Sequence, residues 1–297
     1  MSRVAVVGAG AIGGVYGVRL CAGHEVVFCV RAPFERLVVE TPSGVIEAPA
    51  RCATGPGQVG RVDWVLLAVK GHQTAGAADW LKALAGPGTI VGVMQNGVEQ
   101  VERTAPHANG AEVLPMVVNC PADRLGPGRM KQNLHAGLQP PDGRAGRALA
   151  QLFEGTDIQV APVQDIATAL WTKLCQNIAG GPMTALTGQP RGVLRRPEVA
   201  EIARALVREC AEAGRAAGAK LPGNIHETAV ATVQNHPLRL STSMLQDRLA
   251  GRPLEADPFT GAVIRFGEKH GVPTPVTRII HPLLMALNGG GEAGPGA

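Results

Sequence analysis

The sequence predicts an α/β protein with an N-terminal, doubly wound parallel sheet and a C-terminal, all-helical domain. The first half of its 297 residues alternates short, continuously apolar segments with segments of helical periodicity. Such segments are typical of parallel strands that helices cover on both faces. From residue 165 onward, almost every segment has helical periodicity, with Gly and Pro breakers between segments. Because strand–helix alternation requires right-handed crossovers, the strands should form one doubly wound sheet.

The N-terminal half supplies the strands and the helices that cover them. Short apolar segments predict strands over 4–7, 25–30, 63–69, 89–94 and 112–117, with 129–138 as a further candidate. The remaining periodic segments predict helices over 11–22, 73–84, 98–104 and 144–153. A boundary near 161–165 would divide the chain into an N-terminal domain, residues 1–163, and a helical domain, residues 164–288.

The helical half is predicted from its apolar periodicity and its capping signals. Helices are expected over 167–179 and 197–217. The apolar stripe of the second helix would consist of Ile202, Leu206, Cys210 and Ala213. Asp257-Pro258 and Thr274-Pro275 each place a capping residue before a proline, which predicts two further helix starts. The Gly-rich tail, residues 289–297, is expected to be disordered.

Composition argues against several classes of protein. No stretch approaches the roughly 18–20 apolar residues of a membrane-spanning helix, and the N-terminus has no secretory signal pattern. The six cysteines are far apart without a Cys-x-x-Cys pair, which argues against a zinc site and a disulfide scaffold and favours a reducing cytoplasm. Basic residues outnumber acidic ones by 28 to 24 but are scattered, and aromatics make up 3%, which argues against nucleic-acid binding.

The strongest local motif, Gly-Ala-Gly-Ala-Ile-Gly at residues 8–13, joins the first strand to the first helix. In a Rossmann-type dinucleotide fold, Gly8 permits the tight turn, Gly10 lets the backbone approach a pyrophosphate, and Gly13 lets helix and strand pack closely. The N–H groups at the helix start, around Ala11 and Ile12, would bind the phosphates. The alternative is an ordinary glycine-rich turn in a chain with 39 glycines.

The end of the second strand indicates which dinucleotide is bound. NAD enzymes usually carry Asp or Glu there for the ribose 2′-hydroxyl, but this strand ends Phe-Cys-Val and Arg31 follows it. Glu25 stands at the wrong end of the strand, and no acid occupies the position that would bind the ribose. Since Arg pairs with a 2′-phosphate, NADPH is favoured over NADH. The alternative is that Arg31 is one of 22 scattered arginines.

Two polar residues follow neighbouring strands of the predicted sheet. Lys70 comes after the third strand, and Asn96 comes after the fourth, within Gln-Asn-Gly. Ligands of open α/β sheets bind outside the carboxyl ends of the strands, which makes both residues candidates for binding. The alternatives are an ordinary exposed lysine and an Asn-Gly turn.

Further motifs in the helical half complete an ordered set. Lys-Leu-Cys-Gln-Asn occupies residues 173–177, Ser-Met-Leu-Gln-Asp occupies 243–247, and Gly-Arg-Pro-Leu-Glu-Ala-Asp occupies 251–257. With the glycine motif, Val-Lys and Gln-Asn-Gly, they occur in an order and spacing that resemble the ketopantoate reductase (2-dehydropantoate 2-reductase) family over nearly the whole chain. The resemblance implies a Rossmann domain, a helical domain and NADPH-dependent reduction of a 2-oxo acid in the cleft between them. The first candidate reaction is 2-dehydropantoate to pantoate, in pantothenate biosynthesis.

The resemblance also implies roles for individual residues. Lys173 matches the family's catalytic lysine, which would stabilise and protonate the oxygen of the reduced ketone. Glu255 matches an acid that hydrogen-bonds near the substrate hydroxyl, and it could also orient Lys173. Asn177 stands one helical turn from Lys173 and would face the same cleft. Ser243 matches a substrate-binding serine, directed toward the carboxylate.

The residues of the N-terminal half take roles in the same way. Asn96 matches a residue that lies between nicotinamide and substrate, and Lys70 and Arg31 match positions beside the cofactor. No metal is expected.

Two departures from the family pattern concern the substrate. Gly181 stands where the family has an asparagine four residues after Asn177, and Leu240 stands where a polar residue usually precedes Ser243 by three positions. A site that loses a polar partner loses about 1–3 kcal/mol per group. The alternatives are therefore a related reductase for a different, less polar 2-oxo acid, and a non-catalytic NADP-binding sensor. The sequence does not indicate the oligomeric state, and a homodimer is one candidate assembly.

Overall fold

The computed structural model describes residues 1–288, and the predicted tail lies outside the described residues. The chain divides into two compact units, one over Met1–Ile166 and one from Ala167 onward. The strands of the first unit are β1 (Arg3–Val7), β2 (Glu25–Cys29), β3 (Arg36–Thr41), β4 (Gly44–Pro49), β5 (Arg51–Ala53), β6 (Trp64–Leu67), β7 (Ile90–Val93), β8 (Glu112–Pro115), β9 (Val117–Asn119), β10 (Ala122–Gly126), β11 (Arg129–Gln132), β12 (Gly137–Gln139) and β13 (Gln159–Val160). Its helices are α1 (Ala11–Leu20), α2 (Ala78–Leu84), α3 (Gln100–Thr104) and α4 (Arg144–Leu152).

The main sheet of the first unit has six parallel strands in the order β5-β2-β1-β6-β7-β8. The chain starts in the middle of this sheet and builds outward in one direction and then in the other, which is the doubly wound Rossmann arrangement. The predicted fold class is confirmed. The order reverses between β1 and β6, and the carboxyl ends of these two strands mark the place where such sheets bind ligands.

Alternate side chains of β1 enter two separate apolar cores, one on each face of the sheet. Val4 and Val6 pack into the cluster that contains Tyr16 of α1. Ala5 and Val7 pack into the cluster that contains Leu81 of α2. A strand buried on both faces needs apolar residues at every position, which is why this segment reads as a continuous apolar run.

The remaining strands form two smaller sheets that the sequence patterns did not predict as such. One has the order β10-β11-β3-β4, and the other has the order β13-β12-β9. The predicted single strand over 129–138 is wrong, because residues 129–132 pair with β3 and β10 whereas residues 137–139 pair with β9 and β13. The predicted helix over 73–84 is also too long, since 3-10 turns over Gly71–Gln73 and Ala75–Ala77 precede α2.

The second unit is built from helices. They are α5 (Ile166–Thr187), α6 (Pro197–Ala216), α7 (Ile225–Asn235), α8 (Ser243–Leu249), α9 (Ala262–His270) and α10 (Pro275–Ala286), with a π-helical turn over Asp257–Gly261. The first helix is longer than predicted because it continues through Gly180, Gly181 and Pro182. These residues are buried, so tertiary packing overrides their poor helix propensity. None of the helices in residues 1–288 is both long enough and apolar enough to cross a membrane.

The apolar stripe predicted for α6 is wrong at one residue. Ile202 is 41% exposed, whereas its neighbour Ala203 is fully buried. The face that packs is shifted by one position, because Val207 is buried together with Leu206 and Cys210. The smaller residue, Ala203, therefore lies on the packed face of α6, and the larger residue, Ile202, lies in solvent.

One of the two predicted helix starts is confirmed and the other is wrong: α10 begins at Pro275, directly after its N-cap residue Thr274, whereas no helix starts directly after Asp257. Asp257 lies inside the π-helical turn, and its carboxylate accepts a hydrogen bond from Arg265 at 2.7 Å. Thr274 precedes α10, but its side chain makes no capping hydrogen bond. The capping acceptor of α10 comes instead from α6, since the buried carboxylate of Glu209 accepts hydrogen bonds from two backbone N–H groups of the first turn.

Candidate active site

The glycine motif forms a tight turn between β1 and α1 that only glycine fits at two positions. Gly8 has a φ of +96°, and a Cβ there would lie 2.8 Å from Cγ1 of Val69. A Cβ on Gly13 would lie 2.0 Å from the carbonyl oxygen of Gly8, which is far inside van der Waals contact. The turn is tied to the neighbouring strand by a hydrogen bond from the Gly8 N–H to the Cys29 carbonyl at 3.1 Å.

The start of α1 leaves room for a ligand phosphate. Gly10 is the N-cap residue, and a Cβ built on it would meet no atom within 4 Å. No side chain caps this helix, and its first turn carries no acidic residue. The N–H groups that open the helix around Ala11 and Ile12 therefore face neither a capping side chain nor a competing carboxylate. These residues fit the pyrophosphate of a dinucleotide.

Three predicted binding residues follow strands of the main sheet at its carboxyl edge. Arg31 follows β2 and is exposed, Lys70 follows β6, and Asn96 follows β7. The parallel pairing of these strands with β1 and with one another places all three segments at the same edge as the glycine turn. Their contacts with a cofactor or a substrate stay predictions.

Two buried glutamines hold this edge together: Gln95, which the sequence motifs included without assigning it a role, and Gln100, which they did not include. The amide of Gln95 donates to the Val69 carbonyl at 3.0 Å, so it fixes the segment that leads to Lys70. The amide of Gln100 donates to the Gln95 carbonyl at 2.6 Å, and its oxygen accepts from the Met116 N–H at 2.8 Å. The segment that carries Asn96 is thereby fixed on both sides. The sequence feature that could have indicated this role is the pair of glutamines at positions 95 and 100, which lie on either side of Asn96.

In the second unit, Lys173 and Asn177 stand one turn apart on α5, and both are partly buried. Burial lowers the pKa of the Lys173 ammonium below its ordinary value, and the positive charge of Arg191 lowers it further. Arg191 begins a 3-10 turn over Arg191–Arg195, and sequence reasoning missed it among the 22 arginines of the chain. A lysine whose pKa is lowered gives up its proton more readily near neutral pH, as a general acid requires.

Ser243 is the first residue of α8 and is exposed. The cap of this helix is Thr242, whose hydroxyl accepts a hydrogen bond from the Leu245 N–H at 3.1 Å. The same hydroxyl lies 2.7 Å from the hydroxyl of the buried Thr184 on α5. This contact fixes the start of α8, and with it Ser243, against the helix that carries Lys173.

Glu255 is buried, with an exposed fraction of 3%, and lies in the loop between α8 and the π-helical turn. The loop is anchored at two points. The Leu254 N–H donates to the Asn288 side chain at 2.6 Å, and Arg252 donates to the buried carboxylate of Asp247 at 2.9 Å. The position of Glu255 therefore depends on the C-terminal end of α10.

The two positions that depart from the family pattern differ in their surroundings. Gly181 is buried, and a Cβ there would lie 3.8 Å from the Met244 side chain, an ordinary contact distance. A side chain of some kind could therefore begin at this position without displacing its neighbours. Leu240 is 46% exposed, which is a high value for a leucine in a helical unit.

Comparison with known proteins decides the family. The family model described as ketopantoate reductase PanE/ApbA matches residues 4–140, and the model of its C-terminal part matches residues 165–288. The chain belongs to the ketopantoate reductase family. The resemblance predicted from the motifs is confirmed. As a member of a family of pyridine-nucleotide oxidoreductases, the chain is an enzyme of that class.

Individual members of the family resemble the chain over nearly its whole length. The 2-dehydropantoate 2-reductase of Caulobacter vibrioides is 40% identical over 96% of this chain and 99% of its own. The crystal structure of a PanE/ApbA family ketopantoate reductase from Ralstonia eutropha superposes with a TM-score of 0.88 at 31% identity, covering 97% of this chain and 98% of its own. The dimeric ketopantoate reductase of Staphylococcus aureus has the same fold at 24% identity, with a TM-score of 0.86, and covers 97% of this chain and 99% of its own.

Proposed function

We propose that this enzyme reduces 2-dehydropantoate to pantoate with NADPH, a reaction of pantothenate biosynthesis. The observation that carries the proposal is the 40% identity, over nearly the full length of both chains, to a 2-dehydropantoate 2-reductase. The glycine turn and the lysine of lowered pKa support it, because one fits a dinucleotide and the other fits proton donation to a reduced ketone. The test is NADPH oxidation, followed at 340 nm, with a panel of 2-oxo acids that includes 2-dehydropantoate.

The preference for NADPH is proposed on the charge at the end of β2. Arg31 is exposed there, and no acidic residue stands at the position that would bind a ribose 2′-hydroxyl. A guanidinium binds a 2′-phosphate through charge-assisted hydrogen bonds. Arg31→Ala should weaken NADPH binding by about 10-fold or more and leave NADH binding nearly unchanged. Arg51→Ala, at an exposed arginine of β5, is the matched control. An unchanged NADPH-to-NADH affinity ratio in Arg31→Ala would remove the proposal.

When bound, the nicotinamide supplies the hydride, and the chain's own residues manage the charge and the proton. The Lys173 ammonium would hydrogen-bond the ketone oxygen, stabilise the negative charge that develops on it, and transfer a proton to it from Nζ. Asn96 and Asn177 would orient the substrate through their side-chain amides, and Ser243 would hydrogen-bond its carboxylate. The buried carboxylate of Glu255 would fix the substrate hydroxyl and the lysine relative to each other.

The role of Lys173 has a direct test. Lys173→Ala should lower kcat by about 10²–10⁴-fold, since general acid catalysis contributes that much. NADPH affinity, measured by quenching of protein fluorescence, should stay at the wild-type value. Lys220→Ala changes an exposed lysine of the same unit and should leave kcat unchanged. Near-normal turnover by Lys173→Ala would overturn the assignment.

A different 2-oxo acid is the second candidate substrate, because Gly181 and Leu240 replace polar residues of the family pattern. A substrate panel separates the two: kcat/KM for 2-dehydropantoate far above that for every other oxo acid would exclude the second candidate. A non-catalytic sensor would bind NADPH and oxidise it with none of the panel.

The proposed assembly is a homodimer, in line with the dimeric S. aureus member of the family. Sedimentation equilibrium should then give about twice the chain mass of 30.7 kDa, and a mass of one chain would exclude it. All six cysteines are free thiols, which supports the proposed location in a reducing cytoplasm.

A further inference from the structure

We propose that Arg191 binds the carboxylate of the 2-oxo acid substrate and is a specificity-determining residue of the site. The inference rests on the proposed function, because it names the group that recognises the anionic end of that substrate. It concerns a residue outside the motifs that define the family resemblance.

The backbone around Arg191 is bound to the segment that leads into α8. The Arg191 N–H donates to the Leu240 carbonyl at 3.1 Å, and the Gly192 N–H donates to the Leu238 carbonyl at 3.0 Å. Two residues after Leu240, Thr242 caps α8, and Ser243 follows it. The 3-10 turn that starts at Arg191 is therefore fixed beside the entry to the helix that carries the proposed carboxylate-binding serine.

The side chain of Arg191 has an unused donor. Its Nε is buried and has no hydrogen-bond partner among the described residues. A buried donor without a partner destabilises the fold, and more so when it belongs to a charged group. A guanidinium offers five N–H donors in a planar fork that matches the two oxygens of a carboxylate. A ligand carboxylate would supply the missing partner.

The charge of Arg191 acts on Lys173, so the two cations share one partly buried environment. Two neighbouring positive charges repel each other, and the repulsion is relieved when an anion lies between them. A 2-oxo acid carries the two matching groups on adjacent carbons: a carboxylate for the guanidinium and a ketone oxygen for the ammonium. A site with these two cations should therefore bind a 2-oxo acid better than it binds a neutral ketone.

Arg191 also accounts for the departures from the family pattern. Gly181 and Leu240 remove two neutral polar side chains from the substrate side of the site. The guanidinium of Arg191, whose backbone N–H donates to the Leu240 carbonyl, would replace them with a charged donor set. The pocket is then selective for the carboxylate and less polar elsewhere.

The test compares Arg191→Gln and Arg191→Lys with wild type on a 2-oxo acid and on its methyl ester, which lacks the anionic group. Arg191→Gln should raise KM for the acid by about 10–100-fold, with a smaller change in kcat. KM for the ester should be the same in wild type and in Arg191→Gln. The ester has no carboxylate for Arg191 to bind, so removing the guanidinium removes no further interaction with it. Arg191→Lys keeps the charge without the fork and should give an intermediate KM. Arg195→Gln, at the exposed end of the same 3-10 turn, should match wild type.

A second measurement separates binding from a structural role. Removing the charge of Arg191 should raise the pKa of Lys173, so the alkaline limb of the kcat profile should move to higher pH in Arg191→Gln and stay in place in Arg191→Lys. A KM for the acid within about twofold of wild type in Arg191→Gln, or an equal rise for acid and ester, would overturn the inference. If Arg191→Gln does not fold, the comparison of acid with ester in Arg191→Lys decides. Failure of the proposed function is distinct, because wild type itself would then reduce no 2-oxo acid.

Discussion

Replacing Glu209 should destabilise the helical unit more than any change at the surface of the same helix. Glu209 is 7% exposed, and its carboxylate accepts three hydrogen bonds: from the Val276 N–H at 2.8 Å, the Thr277 N–H at 2.8 Å and the Thr277 hydroxyl at 2.6 Å. It thereby joins α6 to the first turn of α10, where backbone N–H groups lack partners within the helix. The far end of α10 leads to Asn288, which holds the loop of Glu255.

The magnitude follows from the three donors. Each would lose a charged acceptor, at about 1–3 kcal/mol per donor when buried. Val276 is only partly buried, so water recovers part of its loss. Glu209→Ala should therefore lower the free energy of unfolding by about 3–5 kcal/mol, in the range for breaking a buried polar network. Glu209→Gln retains the shape and one acceptor oxygen, and should cost about 1–2 kcal/mol.

The assay is urea unfolding followed by far-UV circular dichroism at pH 7. Glu212→Ala, at an exposed position of the same helix, is the control and should change stability by less than about 0.5 kcal/mol. The reasoning fails if Glu209→Ala costs less than about 1 kcal/mol or cannot be distinguished from the control. It also fails if the glutamine variant is as unstable as the alanine variant. The hydrogen bonds to the acceptor oxygen that glutamine retains would then contribute nothing to the free energy of unfolding.

Three further predictions concern the glycine turn, Lys173, and the ion pair between the buried Arg19 and the exposed Asp157. Gly13→Ala should weaken NADPH binding by at least about 10-fold in a fluorescence titration, since its Cβ would lie 2.0 Å from the Gly8 oxygen; wild-type affinity would contradict this geometry. In the pH profile of kcat, activity should be lost with a midpoint below the ordinary lysine pKa of about 10.4. Burial and the charge of Arg191 lower the pKa of Lys173, and the ammonium loses its proton as pH rises through that pKa. The Arg19 guanidinium, whose hydrogen bond is the largest cause, holds the pKa of Asp157 below its ordinary value, so this pair stabilises the fold above about pH 4 and the stabilisation is lost as pH falls through the lowered pKa. Acid unfolding of Asp157→Asn should lack that component, and an unchanged pH dependence would contradict it.

Local physics explains why much of the fold could be predicted. The buried positions of strands that are covered on both faces must be apolar. The short apolar runs in the sequence therefore predict β1, β2, β6 and β7. The glycine turn follows from steric constraints within a few residues, namely the positive φ of Gly8 and the absence of room for a Cβ at Gly13. The order of the motifs was enough to recognise the family, which the family models confirm.

The sequence by itself therefore determined the doubly wound sheet, the helical second half and the family, because each depends on local periodicity or on residues that are close along the chain. Only the tertiary structure decided that residues 129–138 divide between two sheets, since strand partners are chosen by packing over long separations. Only it decided that Glu209, rather than Thr274, caps α10, because the acceptor comes from 67 residues away. The same holds for Arg191: nothing in its local sequence separates it from 21 other arginines, and packing alone brings its charge near enough to lower the pKa of Lys173.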